Sequence, residues 1–271
     1  MEQVKKWIQE ADAILVGIGS GMSSSAGYNH YHHNFFFEEH FSDFEEQYGF
    51  RNLFKGFYHV YPTPEQQWAY YAKYIHVMQE EPAGSVYQNL KKCLEGKEYY
   101  ILTTNVDIQL PKVFPEEKVF HFQGDFRYMQ CCQPCHDAIY PTKELVKKMV
   151  EQTKELKVPE ELVPRCPKCG WKMVPWVQDD TFLRGKDWQE KQEEYHAFLR
   201  KYKDKKLLLL QLGVGEMTPA VIKYPFWDMT EKQKDTRLIV VNLQKEKLPE
   251  YLKEDSMEIQ MDIREFFLTL L

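Results

Sequence analysis

Short, nearly unbroken apolar runs recur along the chain: "AILVGIG" (13–19), "YYILTTN" (99–105), "KVFHFQ" (118–123), "KLLLLQLG" (206–213), "TRLIVVNL" (236–243) and "SMEIQMDI" (256–263). Runs of this length without polar alternation predict strands buried on both faces, as in a parallel sheet covered by helices. Helical spacing appears between them. The opening stretch places Val4, Trp7 and Ile8 on one face, and the charged stretch 184–206 does the same with Trp188, Tyr195, Phe198, Leu199 and Tyr202. The second is expected to be a solvated helix docked on the sheet. The alternation predicts an α/β protein with a Rossmann-like parallel sheet and helices on both faces.

Two stretches leave that alternation. Residues 28–98 carry many aromatics ("FFFEEHFSDFEEQYGF", "YYAKYIHVM") in helical patterns and read as a helical insertion; residues 126–180 carry five of the cysteines and read as a small zinc-binding module. The sheet is then assembled from three pieces, 1–27, 99–125 and 181–271. No repeat or low-complexity segment appears.

Composition narrows the classes. With 43% hydrophobic and 28% charged residues the chain is expected to be globular, and its 35 basic against 41 acidic residues argue against nucleic acid as a partner. The charged opening "MEQVKKWIQE" does not read as a signal peptide, and "LLLLQLGVG" (207–215) is far too short for a membrane span, so a cytoplasmic location is expected. Five of the six cysteines fall in "QCCQPC" and "RCPKCG". That grouping fits a metal site in a reducing compartment better than a disulfide framework. Two such knuckles can close a tetrahedral structural zinc site. The first pair is open, because either Cys131 or Cys132 can join Cys135, with Cys166 and Cys169 completing the set. The remaining Cys93 reads as a buried structural thiol.

Candidate chemistry collects at strand ends, where ligands of open α/β sheets bind. "GIGSGMSSSAG" (17–27) places a glycine turn and a helix start after the first strand, a arrangement that can receive a phosphate. Ser24 stands where G-x-G-x-x-G needs its third glycine, so the turn alone fits an ordinary strand–helix connection equally well. Thr104, Asn105 and Asp107 follow the second run, and Gln123 follows the third. "YNHYHHN" (28–34) has three close histidines; their spacing is poor for a metal, and a mobile polar loop over a nucleotide pocket is the preferred reading.

Taken in order, these pieces resemble the sirtuin family, which uses NAD to deacylate lysine or to transfer ADP-ribose. The resemblance spans nearly the whole chain. "GSGMSSSAG" is similar to the family's first NAD motif, placing Gly19, Ser20, Gly21, Met22, Ser23 and Gly27 at the cofactor. "TTNVD" resembles the second, placing Asn105 and Asp107 at the nicotinamide ribose. "LGVG" stands where the family contacts NAD phosphates and ribose, implying Gly213, Val214 and Gly215; "VVNL" and "MD" imply Asn242, Leu243 and Asp262 near the adenosine. Two departures matter. The usual Pro-Asp-Phe-Arg is replaced by "NHYH" (29–32), and Gln123-Gly124 stands where the family carries a catalytic His-Gly. Both departures resemble the macrodomain-linked class M branch, associated with mono-ADP-ribosylation of a lipoyl-carrier protein related to glycine-cleavage H protein.

Glutamine hydrogen-bonds but does not titrate near neutral pH, and losing a general base typically costs about 10²–10⁴ in rate. Asn105, Asp107 and Gln123 are therefore expected to break NAD and pass ADP-ribose to an acceptor protein, with deacylation crippled. The alternatives are a weak NAD-dependent deacylase, an NAD hydrolase, and an NAD-binding module without turnover.

Overall fold

A computed structural model describes all residues 1–271. The helices are α1 (Glu2–Glu10), α2 (Ser20–Ser25), α3 (Phe35–Tyr48), α4 (Leu53–Phe57), α5 (Pro64–Glu80), α6 (Ser85–Cys93), α7 (Lys143–Gln152), α8 (Lys186–Tyr202), α9 (Lys223–Lys232) and α10 (Ile263–Leu270). The strands are β1 (Ala13–Ile18), β2 (Glu98–Thr103), β3 (Val119–His121), β4 (Gly124–Cys131), β5 (Tyr140–Pro141), β6 (Met173–Val177), β7 (Leu207–Leu212), β8 (Thr236–Asn242) and β9 (Ser256–Gln260).

Each of the six apolar runs forms a strand of one parallel sheet, in the order β3-β2-β1-β7-β8-β9. β1 lies near the centre, pairing in parallel with β2 from Ala13 opposite Glu98 and with β7 from Ala13 opposite Leu207. Side chains alternate across the pleat. Ile14, Val16, Ile18, Leu208, Leu210 and Leu212 pack on one face with α1, α6 and α10. Ala13, Leu15, Leu207, Leu209, Leu238 and Val240 pack on the other with α8 and α9. Fully burying a leucine or isoleucine is worth about 1.5–3 kcal/mol, so doubly covered strands of this composition hold the sheet's register firmly.

The segment 28–98 is divided between two cores. Helix α6 buries Val86, Tyr87, Leu90 and Cys93 against the sheet. Helices α3, α4 and α5 instead form a second lobe with Phe37, Phe41, Phe44, Tyr70 and Tyr74 at its centre. Their starts are capped: Asn34, Asn52 and Thr63 accept from the amides of Phe37, Lys55 and Gln66, satisfying helix donors that would otherwise be orphaned. Two of the buried phenols are paired as well, Tyr70 donating to the Leu53 carbonyl at 2.8 Å and Tyr61 to that of Gly56 at 2.9 Å. The same core contains Val146, Met149, Cys131, Cys166 and Met173. The helical lobe and the cysteine-bearing module, with its antiparallel sheet β5-β4-β6, therefore share one interior. No helix is long and apolar enough to cross a membrane.

Candidate functional site

A cavity of about 360 Å³ opens between the sheet's strand ends and the helical lobe. Of the residues singled out in the sequence, Gly19, Ser20, Thr104, Asn105, Asp107, Gln123, Val214 and Gly215 line it.

Asn105 follows β2, where Thr103 fixes the turn by donating its hydroxyl to the Ile18 carbonyl and accepting from the Asn105 amide at 3.0 Å. The Asn105 side-chain nitrogen donates to the Gly19 carbonyl and to Ser23 Oγ, both at 2.9 Å. Because a carbonyl can only accept, these bonds fix the amide's orientation. They leave Oδ1 without a protein partner at the cavity. Ser23 donates to Asp107 Oδ2 in turn, and Tyr87 stands 3.4 Å from its hydroxyl. Ser23 is fully buried and does not line the cavity, so it connects Asn105 to Asp107 from behind. Asp107 is 3% exposed. Burial, together with the Asp107 charge, pushes the Tyr87 and Tyr74 phenols well above their ordinary range, so both remain hydrogen-bond donors.

Gln123 lies in the connection from β3 to β4, its side chain free of protein partners and its carbonyl accepting from the Gln178 amide at 2.9 Å. Gly124 has φ of +91°, and a Cβ there would stand 2.0 Å from the Trp176 carbonyl. Only glycine turns the chain this way. His121, two residues earlier, does not face the cavity. Its Nδ1 lies 3.5 Å from the Asn105 carbonyl and its Nε2 3.7 Å from Asp125, on the far side of the strand.

The glycine turn also has a packing role. A Cβ at Gly19 would come within 2.6 Å of the Gly213 carbonyl, and one at Gly21 within 2.6 Å of Gly213 Cα. The Gly19, Gly21 and Met22 amides donate to the carbonyls of Leu212, Gly213 and Gly19. These glycines let two backbone turns touch. The open backbone is at Gly215, where a Cβ would meet nothing within 4 Å.

The remaining sequence candidates stand back from the cavity. Met22 is core, and Gly27 is exposed at φ of +102°. Gly213 makes the backbone contact just described. Asn242 donates to the Val214 carbonyl at 3.2 Å and so supports the loop. Leu243 is exposed. Asp262 caps α10 through the Arg264 amide and accepts from Ser25 Oγ at 2.9 Å, which occupies both of its oxygens.

The opposite wall is made by His30, Tyr31, Leu53, Phe54, Phe57, Tyr58 and Tyr74, with Phe126, Val177, Gln178, Met217 and Thr218 closing the ends; of these, the sequence placed only the 28–34 loop, with His30 and Tyr31, over the pocket. The loop at 28–34 does lie over the pocket, and its backbone is hydrogen-bonded there. Asn29 accepts from the Tyr31 and His32 amides at 2.9 Å, the Phe54 amide donates to the His30 carbonyl at 2.9 Å, and Asn52 donates to the Tyr31 carbonyl at 3.0 Å. Asparagines at short offsets were the available signal.

In the cysteine module, Cys131, Cys135, Cys166 and Cys169 bring their Sγ atoms within 4.8 Å of one another. Two of the pairs stand at 3.5 Å. Four thiolates about 2.3 Å from a tetrahedral zinc stand about 3.8 Å apart, so the group fits that metal. Cys132 is corrected out of the set. It follows Cys131 at the end of β4, and alternation along the strand turns its side chain away from the other thiols.

No family model matches the chain. It is 34% identical over 280 residues to the protein ADP-ribosyltransferase of Staphylococcus aureus (strain Mu50 / ATCC 700699), covering all of this chain and 86% of that one. It is 29% identical over 263 residues to a probable bifunctional ADP-ribose hydrolase/ADP-ribosyltransferase of Fusarium oxysporum f. sp. cubense, covering 93% of this chain and 44% of that one. Among solved structures, Sir2Tm bound to a propionylated peptide superposes with a TM-score of 0.63 at 18% identity, covering 100% of this chain and 96% of that one. A Sir2 complex with a p53 peptide and NAD+ superposes at 0.59 and 17%, with the same coverage. The fold is the one shared with these solved structures, and the chain belongs to the sirtuin family, in the branch that includes the protein ADP-ribosyltransferase of Staphylococcus aureus.

Proposed function

We propose that this NAD-dependent ADP-ribosyltransferase breaks the bond between ribose and nicotinamide in the cleft and passes ADP-ribose to a side chain of an acceptor protein. The observation that carries this reading is the pairing of Asn105, whose Oδ1 is free at the cavity, with Gln123, whose side chain has no protein partner and does not titrate. Asn105 Oδ1 accepts from a ribose hydroxyl or from the attacking group. Asp107, held through Ser23, keeps Asn105 oriented and places negative charge where positive charge develops on the sugar. Gln123 positions the ribose but takes no proton from it, which disfavours deacylation. Val214 and Gly215 offer open backbone to the phosphates, and Gly19, Ser20 and Thr104 form the floor beneath them. Gly21, Met22, Ser23, Gly27, Gly213, Asn242, Leu243 and Asp262 shape that floor from outside the cavity. Zinc, when bound by Cys131, Cys135, Cys166 and Cys169, fills every coordination position with thiolate and supplies structure alone.

The finer reading makes the acceptor a lipoyl-carrier H-like protein. It rests on the motif resemblance, and Tyr58 and Met217, which are 55% and 65% exposed at the cavity mouth, offer apolar surface for such a partner. A cytoplasmic setting suits the reduced thiols of the metal cluster. The test is mass spectrometry of products after incubating the protein with NAD, an acyl-lysine peptide and lysate of its own organism. One ADP-ribose added to a lysate protein, absent with Asn105→Ala, is the expected result; acyl-ADP-ribose as the main product would overturn the assignment of Gln123.

A further inference from the structure

His30 enters the cleft from the segment before α3, far in sequence from the strand ends that supply Asn105, Asp107 and Gln123, yet it lines the same cavity. Its backbone is fixed by the Phe54 amide, and its ring packs edge-on to Tyr74 with centroids 6.0 Å apart. Neither ring nitrogen has a protein hydrogen-bond partner, and Nε2 is buried without one. A buried polar atom left unpaired is costly, and in a cleft that cost is recovered when a substrate supplies the missing partner. The contrast with His33 is direct, since that ring is engaged by Glu38 and Glu45.

The position is suited to the acceptor. His30 shares the cavity with Phe54 and Tyr58, whose rings are partly exposed and offer an acceptor side chain a way in. The strand-end wall already holds three groups suited to the sugar: the amides of Asn105 and Gln123 do not titrate near neutral pH, and the Asp107 carboxylate is committed to Ser23.

We propose that His30 is the general base of the transfer, taking the proton from an acceptor hydroxyl, or from water, as its oxygen attacks the ribose. This rests on the ADP-ribosyl transfer reading above. In the step, the acceptor oxygen bonds to C1′ and the bond between C1′ and nicotinamide breaks. The electron pair of that bond leaves with neutral nicotinamide, and the acceptor's proton passes to a ring nitrogen of His30, which later returns it to solvent. The acceptor class follows: a nucleophile that must lose a proton in order to react.

The groups facing the ring are Asp107 from beyond β2, Tyr74 from α5 and Tyr31 from its own loop. Burial pushes the imidazole below its ordinary value while the Asp107 charge opposes that. The ring is thus neutral, and able to accept a proton, at pH 7.

The experiment has two readouts. The first is the imidazole signal of His30, assigned by its loss in His30→Gln and followed by NMR from pH 4.5 to 8.5 in the protein without NAD. The second is nicotinamide release from NAD with water as acceptor, measured over the same range, with NAD affinity measured by calorimetry. The expected result is a rate that rises with pH along the titration seen by NMR. In His30→Gln that limb disappears and kcat falls about 10²–10⁴-fold, while NAD affinity is kept. Added imidazole should restore part of the rate to His30→Ala. A ring still protonated at pH 8 overturns the proposal, as does a variant of wild-type rate and pH profile, or one whose rate and NAD affinity fall together. An active wild type with an equally active variant overturns this proposal alone. Failure of the wild-type protein to release nicotinamide overturns the transfer reading and this one with it.

Discussion

The strand-end wall of the cleft is a closed hydrogen-bond network: Asn105 reaches Gly19 and Ser23, Ser23 reaches Asp107, and Tyr87 backs them. The facing wall, from His30 to Tyr74, is made of rings, and its polar atoms at the cavity are largely left to be satisfied by whatever enters. The first wall rests on a sheet locked by aliphatic side chains. The second rests on an aromatic core shared with the cysteine module. The difference separates two tasks. A fixed wall suits a sugar whose geometry never changes, whereas an apolar wall with free polar atoms suits the variable partner.

That comparison can be broken at several points. Removing metal with a chelator should have the largest effect, because Cys131 and Cys166 are buried in the shared core, Cys135 and Cys169 close the cluster from the surface, and all four lose the ion that would hold them together. Hydrogen exchange should then show protection collapsing across α3, α4 and α5 while β1, β7 and β8 keep theirs. Equal loss in both regions would show that the two walls do not stand on separate foundations. Asn105→Ala should lower nicotinamide release on the order of 10²–10³-fold, the usual loss for one aligned charge-stabilising group, with the fold retained by circular dichroism. Ser23→Ala should cost about 1–3 kcal/mol in chemical denaturation, since it leaves the Asn105 amide and the Asp107 carboxylate each short of a partner. A neutral result would mean that the network is not what fixes that wall.

The smallest effect concerns His30 and pH. Burial holds its folded pKa below the ordinary value, which is about 6.5 in the unfolded chain. As pH falls through about 6.5 the unfolded chain binds a proton that the folded site resists, so stability is lost on the acid side and the loss levels off below the folded pKa. His30→Gln should flatten the denaturation profile between pH 7 and 5.

The parallel sheet was legible because doubly buried strands leave continuous apolar runs, and "KLLLLQLG" could hardly be anything else. Asn105 and Gln123 were legible because ligands gather at strand ends. Strand order, by contrast, depends on pairings between segments up to two hundred residues apart, such as Ala13 with Leu207, which no local pattern encodes. The cavity's aromatic wall was hidden for a related reason. Phe54 and Phe57 have the same spacing as core aromatics, and only the arrangement of lobes decides which rings face a ligand. Cys131 and Cys132 were indistinguishable until the direction of β4 was known. The glycine turn fitted a phosphate site and an ordinary strand–helix connection equally well, and the contact that Gly19 and Gly21 make with Gly213, almost two hundred residues away, left no local signal.

The interior shared by the helical lobe and the cysteine module has a consequence for recombination. A chimera that exchanges residues 28–81 between relatives, to graft one acceptor preference onto another, would pair Phe126, Val146 and Met149 with foreign rings. The unit of exchange is the discontinuous pair of segments together, so a graft of this lobe has to carry the packing residues of the cysteine module with it.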